Sequence, residues 1–477
     1  MLCAGTVATR LVAPNEGWFA DPAYHLASQG VFRTTALESS GTWLEGLGRH
    51  TYWILPLYPL TQAAAFRVLG FSLRIMRAQS VLWGGLAMAA FYLLMRSQAD
   101  PGVTLLATLL LATDFHFIVG ASVGRMDMMC AALGFSGLAA YMILRERSFP
   151  TAVFLSHTLA AAACFTHPCG ALTVGGLFLL AFRFDRDRWN WRQAVLAALP
   201  YTFGIAGYSI YALEDLPTFL RQLSGNVSGL AGEATGTTRF DGLAHPLSAL
   251  RRELLDRYLS SFIGTSWTNP YRAEFLVLLA YLGGAIVALL DRRIRRQKAT
   301  RLLLPLCGLY FVSMWLLEGL KQRVYMVYTL PLFAGLAALW IWNWTEGRRF
   351  FRAAIVTAIL GVQFLAIGIG FRENQYRNEY LSAAAYMQQH GRPASLIMGP
   401  GQLVFEFGFD GRFVDDVRLG YFSGKTPEFY VSDPWYDDWL EHSKTREPAV
   451  YRHVSTTLAE RYHEVFRNAG YKIYQAH

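Results

Sequence analysis

Charge is scarce in this sequence. Asp, Glu, Lys and Arg make up 16% of its 477 residues, against 53% hydrophobic and 14% aromatic. That balance, with a mean hydropathy of +0.25, excludes a disordered or heavily solvated chain and fits an integral membrane protein. Cysteine is scarce too. Cys3, Cys130, Cys164, Cys169 and Cys307 all fall in or beside apolar runs, which excludes a disulfide framework. Cys164, His167 and Cys169 are near enough in sequence to be weighed as metal ligands, but no fourth ligand stands beside them, and small cysteines are ordinary packing residues in helices. There is no internal repeat and no low-complexity tract.

Long apolar runs are what the sequence has in abundance. Those at 79–95, 102–120, 128–144, 194–213, 275–290, 302–317, 324–342 and 353–370 approach the roughly 20 residues that a spanning helix needs. The run 151–182 has no Lys, Arg, Asp or Glu and is broken by "THPCG" at 166–170, so it reads as two short helices joined by a tight turn. Ten spans after residue 78 follow. Their short loops alternate in charge. One face holds Arg96, Arg145, Arg147, Arg183, Arg186, Arg188, Arg192, the basic run from Arg292 to Arg301, Arg348, Arg349 and Arg352, sixteen basic residues in all; the other holds Arg125, Lys321 and Arg323. Short basic loops stay in the cytoplasm, so this pattern accounts for the net charge of +9 without nucleic acid.

On that topology the opening segment, the long loop 214–273 and the tail from 371 lie outside the cytoplasm. The stretch 52–70 carries two prolines and is followed by Arg74 and Arg77, which places it as a juxtamembrane helix on the outer surface. Met1 to Ala13 contains Arg10 and is too short to span. It also lacks the apolar core of a signal peptide, so it reads as the end of a longer first helix, with eleven spans in the intact protein. From 371 the composition is that of a soluble domain. "ASLIMG", "EFYVSD" and "YKIYQA" read as strands, while 376–390 and 456–468 carry helical periodicity, which suggests a small α/β unit with a mainly parallel sheet. "GPGQL" at 399–403 is a weak phosphate-loop signal.

Ionisable residues near membrane depth are costly and concentrate at functional sites. Here they cluster at the outer ends of the spans: Glu16 and Asp21 in the opening segment, His50 and Tyr52, Asp114 and His116, Arg125 and Asp127 in "GRMD", His167 in "THP", and Lys321, Arg323 and Tyr325 in "KQRVYMVY". Taken singly, each has an ordinary reading. Arg125 with Asp127 is a structural ion pair, Asp21 before Pro22 is a helix N-cap, Glu16 is a solvated loop charge, and Lys321 is an interfacial anchor. Together, carboxylates beside cations at the outer leaflet suit sugar transfer from a lipid phosphate, with a carboxylate as general base and the cations on the leaving phosphate.

In their order, the acidic opening segment, "HTYWILPLYPLTQAAAFRVLGFSLRIMR", "GRMD", "FTHPCG" and "KQRVYMVYTLP" resemble the dolichyl-phosphate-mannose protein mannosyltransferases and bacterial aminoarabinose transferases of the GT-C superfamily, over residues 14–345. The resemblance implies a multi-pass α-helical GT-C fold over residues 1–370, followed by a small extracytoplasmic α/β domain over 371–477. It implies a polyprenyl-phosphate sugar donor, an extracytoplasmic lipid, glycan or protein acceptor, and an acidic catalytic residue in the first outer loop. The family's Asp-Glu pair falls on Asn15 and Glu16, which moves the base to Glu16, with Asp21 and Asp127 behind it. The lysine before the family's proline pair is replaced in the region of Arg49 and His50, and one proline by Leu55. Lys321, Arg323 and Arg125 are then expected on the donor phosphate, and His50, Tyr52, His167 and Tyr325 around the substrate. No motif requires a cofactor, and a divalent metal ion is compatible with the chemistry. A flippase for lipid-linked sugars, or a glycan polymerase or ligase, is the alternative; a transporter of this kind is expected to carry an internal repeat and broken helices at the midplane.

Overall fold

The computed structural model describes residues 1–228, 238–263, 270–393 and 395–477. Among these, seven helices are long and apolar enough to cross a membrane: Leu73–Arg96, Met126–Leu144, Phe149–Thr166, Trp191–Ser228, Arg272–Leu290, Lys298–Leu317 and Arg349–His390. The pair Pro101–Thr113 and Phe115–Ala121, bent by 64°, makes an eighth, and Pro168–Phe184 and Leu330–Trp344 are shorter apolar helices. A helix therefore lies over each apolar run of the sequence. The bend has a local cause. Asp114 is extended and its carboxylate accepts from Phe117 N at 2.8 Å, so it ends one helix and caps the next.

Helix perimeters are apolar and uncovered, with Phe203 73%, Ile210 71% and Leu290 72% exposed. In water such surfaces would aggregate; in lipid they are the solvated face. The inner faces of the helices form one large core.

The opening segment is not a loop. Residues Pro14–Gln29 form a helix that starts with proline in its first turn and ends at Gly30, whose φ of 71° is the left-handed conformation favoured by glycine. A shorter helix than expected, Leu57–Leu69, packs beneath it. At the other terminus the sheet has the order β2-β1-β3-β5-β4, from β1 (Ile397–Met398), β2 (Phe413–Val414), β3 (Phe429–Ser432), β4 (Tyr462–Arg467) and β5 (Lys472–Ala476). β1 pairs in parallel with β2 and β3, whereas β5 runs antiparallel to both β3 and β4. The sheet is thus mixed rather than mainly parallel, because β4 and β5 form a hairpin, and the helix expected over 456–468 ends at Arg461.

Strand alternation gives this sheet two buried faces. Met398, Val414 and Tyr430 pack under the helices Pro434–Arg446 and Pro448–Arg461. Ile397, Phe413, Phe429 and Ile473 enter a second core together with Phe19, Ala20, Tyr58 and Met126 from the helical part. The C-terminal sheet is therefore seated on the opening helix.

The closest approach in that interface is between glycines. A Cβ on Gly17 would lie 2.0 Å from the carbonyl oxygen of Gly401, in the turn of "GPGQL". That turn continues as a short 3-10 helix, Gly401–Leu403, packed against the opening helix. Because backbone meets backbone there, Gly17→Ala should destabilise the protein by about 1–3 kcal/mol. Gly48→Ala, where a Cβ meets nothing within 4 Å, should leave the thermal midpoint in detergent unchanged.

Candidate active site

The opening helix places Glu16 at its third position, where the carboxylate reaches back to accept from Ala13 N at 2.9 Å. Arg77 completes the pair with two contacts, Nε to Oε1 at 2.9 Å and a terminal nitrogen to Oε2 at 2.7 Å, and Gly124 N donates to Oε1 at 2.7 Å. Arg77 spends its remaining donors on the carbonyls of Val7, Arg10 and Leu11. Both side chains are buried, and every polar atom of the pair has a partner. Burial alone would raise the Glu16 carboxyl; the Arg77 guanidinium and the converging donors outweigh it and hold the group below the usual carboxylate range. This corrects the expectation of Glu16 as general base. A carboxylate whose two oxygens already accept from four donors has no lone pair free for an acceptor proton.

Asp21 is corrected as well. It lies inside the helix rather than at its start, and Oδ2 accepts from Thr35 N at 2.7 Å and Ala36 N at 2.6 Å, with His25 Nε2 3.2 Å from Oδ1. It fastens the extended stretch after the helix.

Among the described residues, Asp21 and Asp127 each keep one buried oxygen without a hydrogen bond, but that of Asp21 has His25 beside it, whereas that of Asp127 has no ion-pair partner. One oxygen of Asp127 accepts from Arg125 Nε at 2.8 Å, while Oδ1, fully buried, has no hydrogen-bond partner among the described residues. Arg125 stands at the N-terminal boundary of the Met126–Leu144 helix, lies over the Phe19 ring at 5.4 Å and donates to Gln322 at 3.3 Å. His167 lies within electrostatic reach of Asp127, accepts from Cys169 N through Nδ1, and meets the Tyr325 hydroxyl at 3.3 Å through Nε2. The fold thus gathers Arg125, Asp127, His167 and Tyr325 from three separate sequence segments.

Lys321 does not join them. Its backbone turns into the left-handed region, with φ at 53°, and its ammonium donates to the carbonyls of Met314 and Trp315 and pairs with Glu253 at 3.1 Å. Its three donors are occupied, which corrects its expected phosphate role. Arg323, two residues on, is exposed and forms no ion pair among the described residues.

His50 and Tyr52 sit to one side, stacked at 5.7 Å against each other, where Tyr52 also meets Tyr211 at 4.8 Å. Both pack on Tyr211, which lines a groove of about 740 Å³ together with Phe32, Pro56, Leu57, Phe165 and Phe203, with Gly204 and Gly207 in its wall. Its lining is almost wholly apolar, and no residue read from the sequence pointed to it. Segment 52–57 connects the two places: Tyr52 packs on the groove-lining Tyr211, Pro56 and Leu57 line the groove, and Trp53 packs on Phe19, at 6.1 Å, whose ring lies under Arg125. Among the described residues no group of three or more His, Cys, Asp or Glu side chains is arranged to hold a metal ion, so Cys164, His167 and Cys169 form no such set.

No family model and no curated protein sequence matches the chain. Solved structures do. The chain is similar to ArnT from Cupriavidus metallidurans bound to undecaprenyl phosphate, with a TM-score of 0.62 at 13% identity over 99% of this chain and 95% of that one. It is also similar to the oligosaccharyltransferase of Archaeoglobus fulgidus in the apo form, with a TM-score of 0.55 at 12% identity over 100% of this chain and 74% of that one. The archaeal oligosaccharyltransferase AglB from Archaeoglobus fulgidus, in complex with an inhibitory peptide and a dolichol-phosphate, matches with a TM-score of 0.51 at 12% identity over 98% and 71% of the two chains. The chain has the GT-C fold.

The Glu16–Arg77 pair carries its own test. A carboxyl held low in the folded state contributes stability that is complete above the pKa of the unfolded chain, about 4.3, and is lost as pH falls through that value toward the folded one. Glu16→Gln should remove this acid limb and destabilise the protein by about 3–5 kcal/mol, since it strands a buried guanidinium. Thermal unfolding between pH 3 and pH 7 reads both effects, and an unchanged midpoint would refute the structural role.

Proposed function

We propose that the protein is an integral membrane glycosyltransferase that moves a sugar from a polyprenyl-phosphate donor to an acceptor on the outer side of the membrane. The observation that carries this reading is the junction of the apolar groove with the Arg125–Asp127 cluster through residues 52–57. An isoprenoid chain matches a lining without polar demands, and the phosphate at its head would meet Arg125 and Arg323. Neighbours of the same fold that hold undecaprenyl phosphate or a dolichol-phosphate support the same donor class. The outer placement of the cluster rests on the sixteen-to-three asymmetry of basic residues in the loops.

In this reading the unpaired oxygen of Asp127 takes the proton of the acceptor hydroxyl as that oxygen attacks the anomeric carbon. The bond from the anomeric carbon to the phosphate oxygen breaks, and polyprenyl phosphate leaves with charge that Arg125 and Arg323 offset. His167 and Tyr325 fix the far wall of the site through their mutual hydrogen bond.

Purified protein incubated with a panel of polyprenyl-phosphate sugars should release polyprenyl phosphate, detected by mass spectrometry. Asp127→Asn should lower turnover by about 10² to 10⁴ while leaving donor affinity in place. Gly207→Leu should do the reverse, because a Cβ on Gly207 meets nothing within 4 Å and the added side chain fills the groove. Translocation of intact donor across proteoliposomes, with no release, would instead mark a flippase.

A further inference from the structure

Three tryptophans far apart in sequence lie in one row. Trp435 and Trp18 meet edge to face at 6.2 Å, and Trp18 and Trp53 at 6.4 Å. Beyond Trp53 the row reaches Phe19 at 6.1 Å and, over that ring, the Arg125 guanidinium at 5.4 Å. It therefore runs from the surface of the C-terminal domain to the side chain paired with Asp127. Trp435 is 42% exposed at the outer end, and Trp18 and Trp53 are both partly open.

The rings are held in place. The Trp18 indole nitrogen donates to Asp415 at 2.6 Å, and the Tyr436 hydroxyl takes the other oxygen of that carboxylate. Two polar atoms along the row are left without partners among the described residues: the buried indole N–H of Trp53 and the buried side-chain oxygen of Asn15, one donor and one acceptor. Asn15, Trp18 and Phe19 share a helix face by their spacing. A ligand or water can complete buried polar groups of this kind.

We propose that Trp435, Trp18 and Trp53 form a carbohydrate-binding floor, so that the hydroxyl presented to Asp127 belongs to a sugar residue of the acceptor. This rests on the transferase reading for its direction. A sugar ring has an apolar C–H face for the indoles and hydroxyls that both donate and accept, which matches one unpaired N–H and one unpaired carbonyl oxygen. A peptide acceptor is served less well. The β2 edge of the sheet nearest this site is already closed by residues 36–38, where Asp415 N donates to Ala36 O at 2.6 Å and Glu38 N to Asp415 O at 2.9 Å, so an extended peptide has no strand to join there.

The test uses the full-length protein in nanodiscs and saturation-transfer NMR. The probes are a panel of soluble neutral and amino-sugar hexasaccharides and a Ser/Thr-rich peptide of similar length. At least one hexasaccharide should receive saturation on its C–H protons. Trp435→Ala should weaken its binding about tenfold, Trp435→Phe should restore most of it, and Trp344→Ala, an exposed tryptophan on another helix, should change nothing. Undecaprenyl phosphate titrated separately should bind wild type and Trp435→Ala alike. Failure of wild type to bind it would count against the transferase and leave the sugar floor standing. Binding of the peptide alone, of no saccharide, or of a saccharide indifferent to Trp435→Ala would overturn the proposal.

Discussion

The structure depends on one buried ion pair. Arg77 and Glu16 are 61 residues apart, and their combined hydrogen bonds reach the N-terminal turn at Val7, the linker at Arg10 and Leu11, the start of the opening helix at Ala13, and Gly124. A pair of this kind adds little stability over well-packed apolar side chains, but removing one partner leaves an uncompensated charge where no water can reach it. Its value here is geometric. Gly124 immediately precedes Arg125 and Asp127, so the carboxylate that sets the opening helix also sets the first turn of the helix bearing the candidate base. Glu16 acts on chemistry through position.

That arrangement explains which parts of the molecule were legible in the sequence. Apolar runs declare helices by length, and a helix stands over each of them, but among the described residues only seven, or eight with the bent pair, are long and apolar enough to cross a membrane. The strands "ASLIMG", "EFYVSD" and "YKIYQA" were legible from β-branched and aromatic content. The saturation of a carboxylate was not. Arg77 reads in sequence as one basic residue after an apolar stretch, and nothing local reveals that all its donors converge on Glu16 and three carbonyls. Lys321 reads as a cation at the outer start of a span, and only a left-handed backbone turn folds it back onto Glu253. In each case the deciding partner is distant, or the deciding torsion carries no composition signal.

The same applies to the C-terminal domain. Its sheet was visible, but not its attachment. One sheet face shares a core with the opening helix, two glycines allow the backbones to touch, and Asp415 bridges Trp18 and Tyr436. The domain thereby forms one wall of the region around Arg125 and Asp127, and the opening helix is clamped between the sheet on one side and Arg77 on the other. The groove opens beside this clamped helix, with Leu26 from that helix in its lining. Tail, phosphate and acceptor would then meet beside the opening helix.

The most direct test of this account is a cryo-EM structure of the protein in nanodiscs saturated with polyprenyl phosphate. The account predicts isoprenoid density along Phe203 and Gly207, with the phosphate within hydrogen-bond distance of Arg125 or Arg323 and the unpaired oxygen of Asp127 turned to the space left for sugar and acceptor. A lipid chain elsewhere on the helix perimeter, with its phosphate on the basic loops that run from Arg292 to Arg301 or from Arg348 to Arg352, would contradict it.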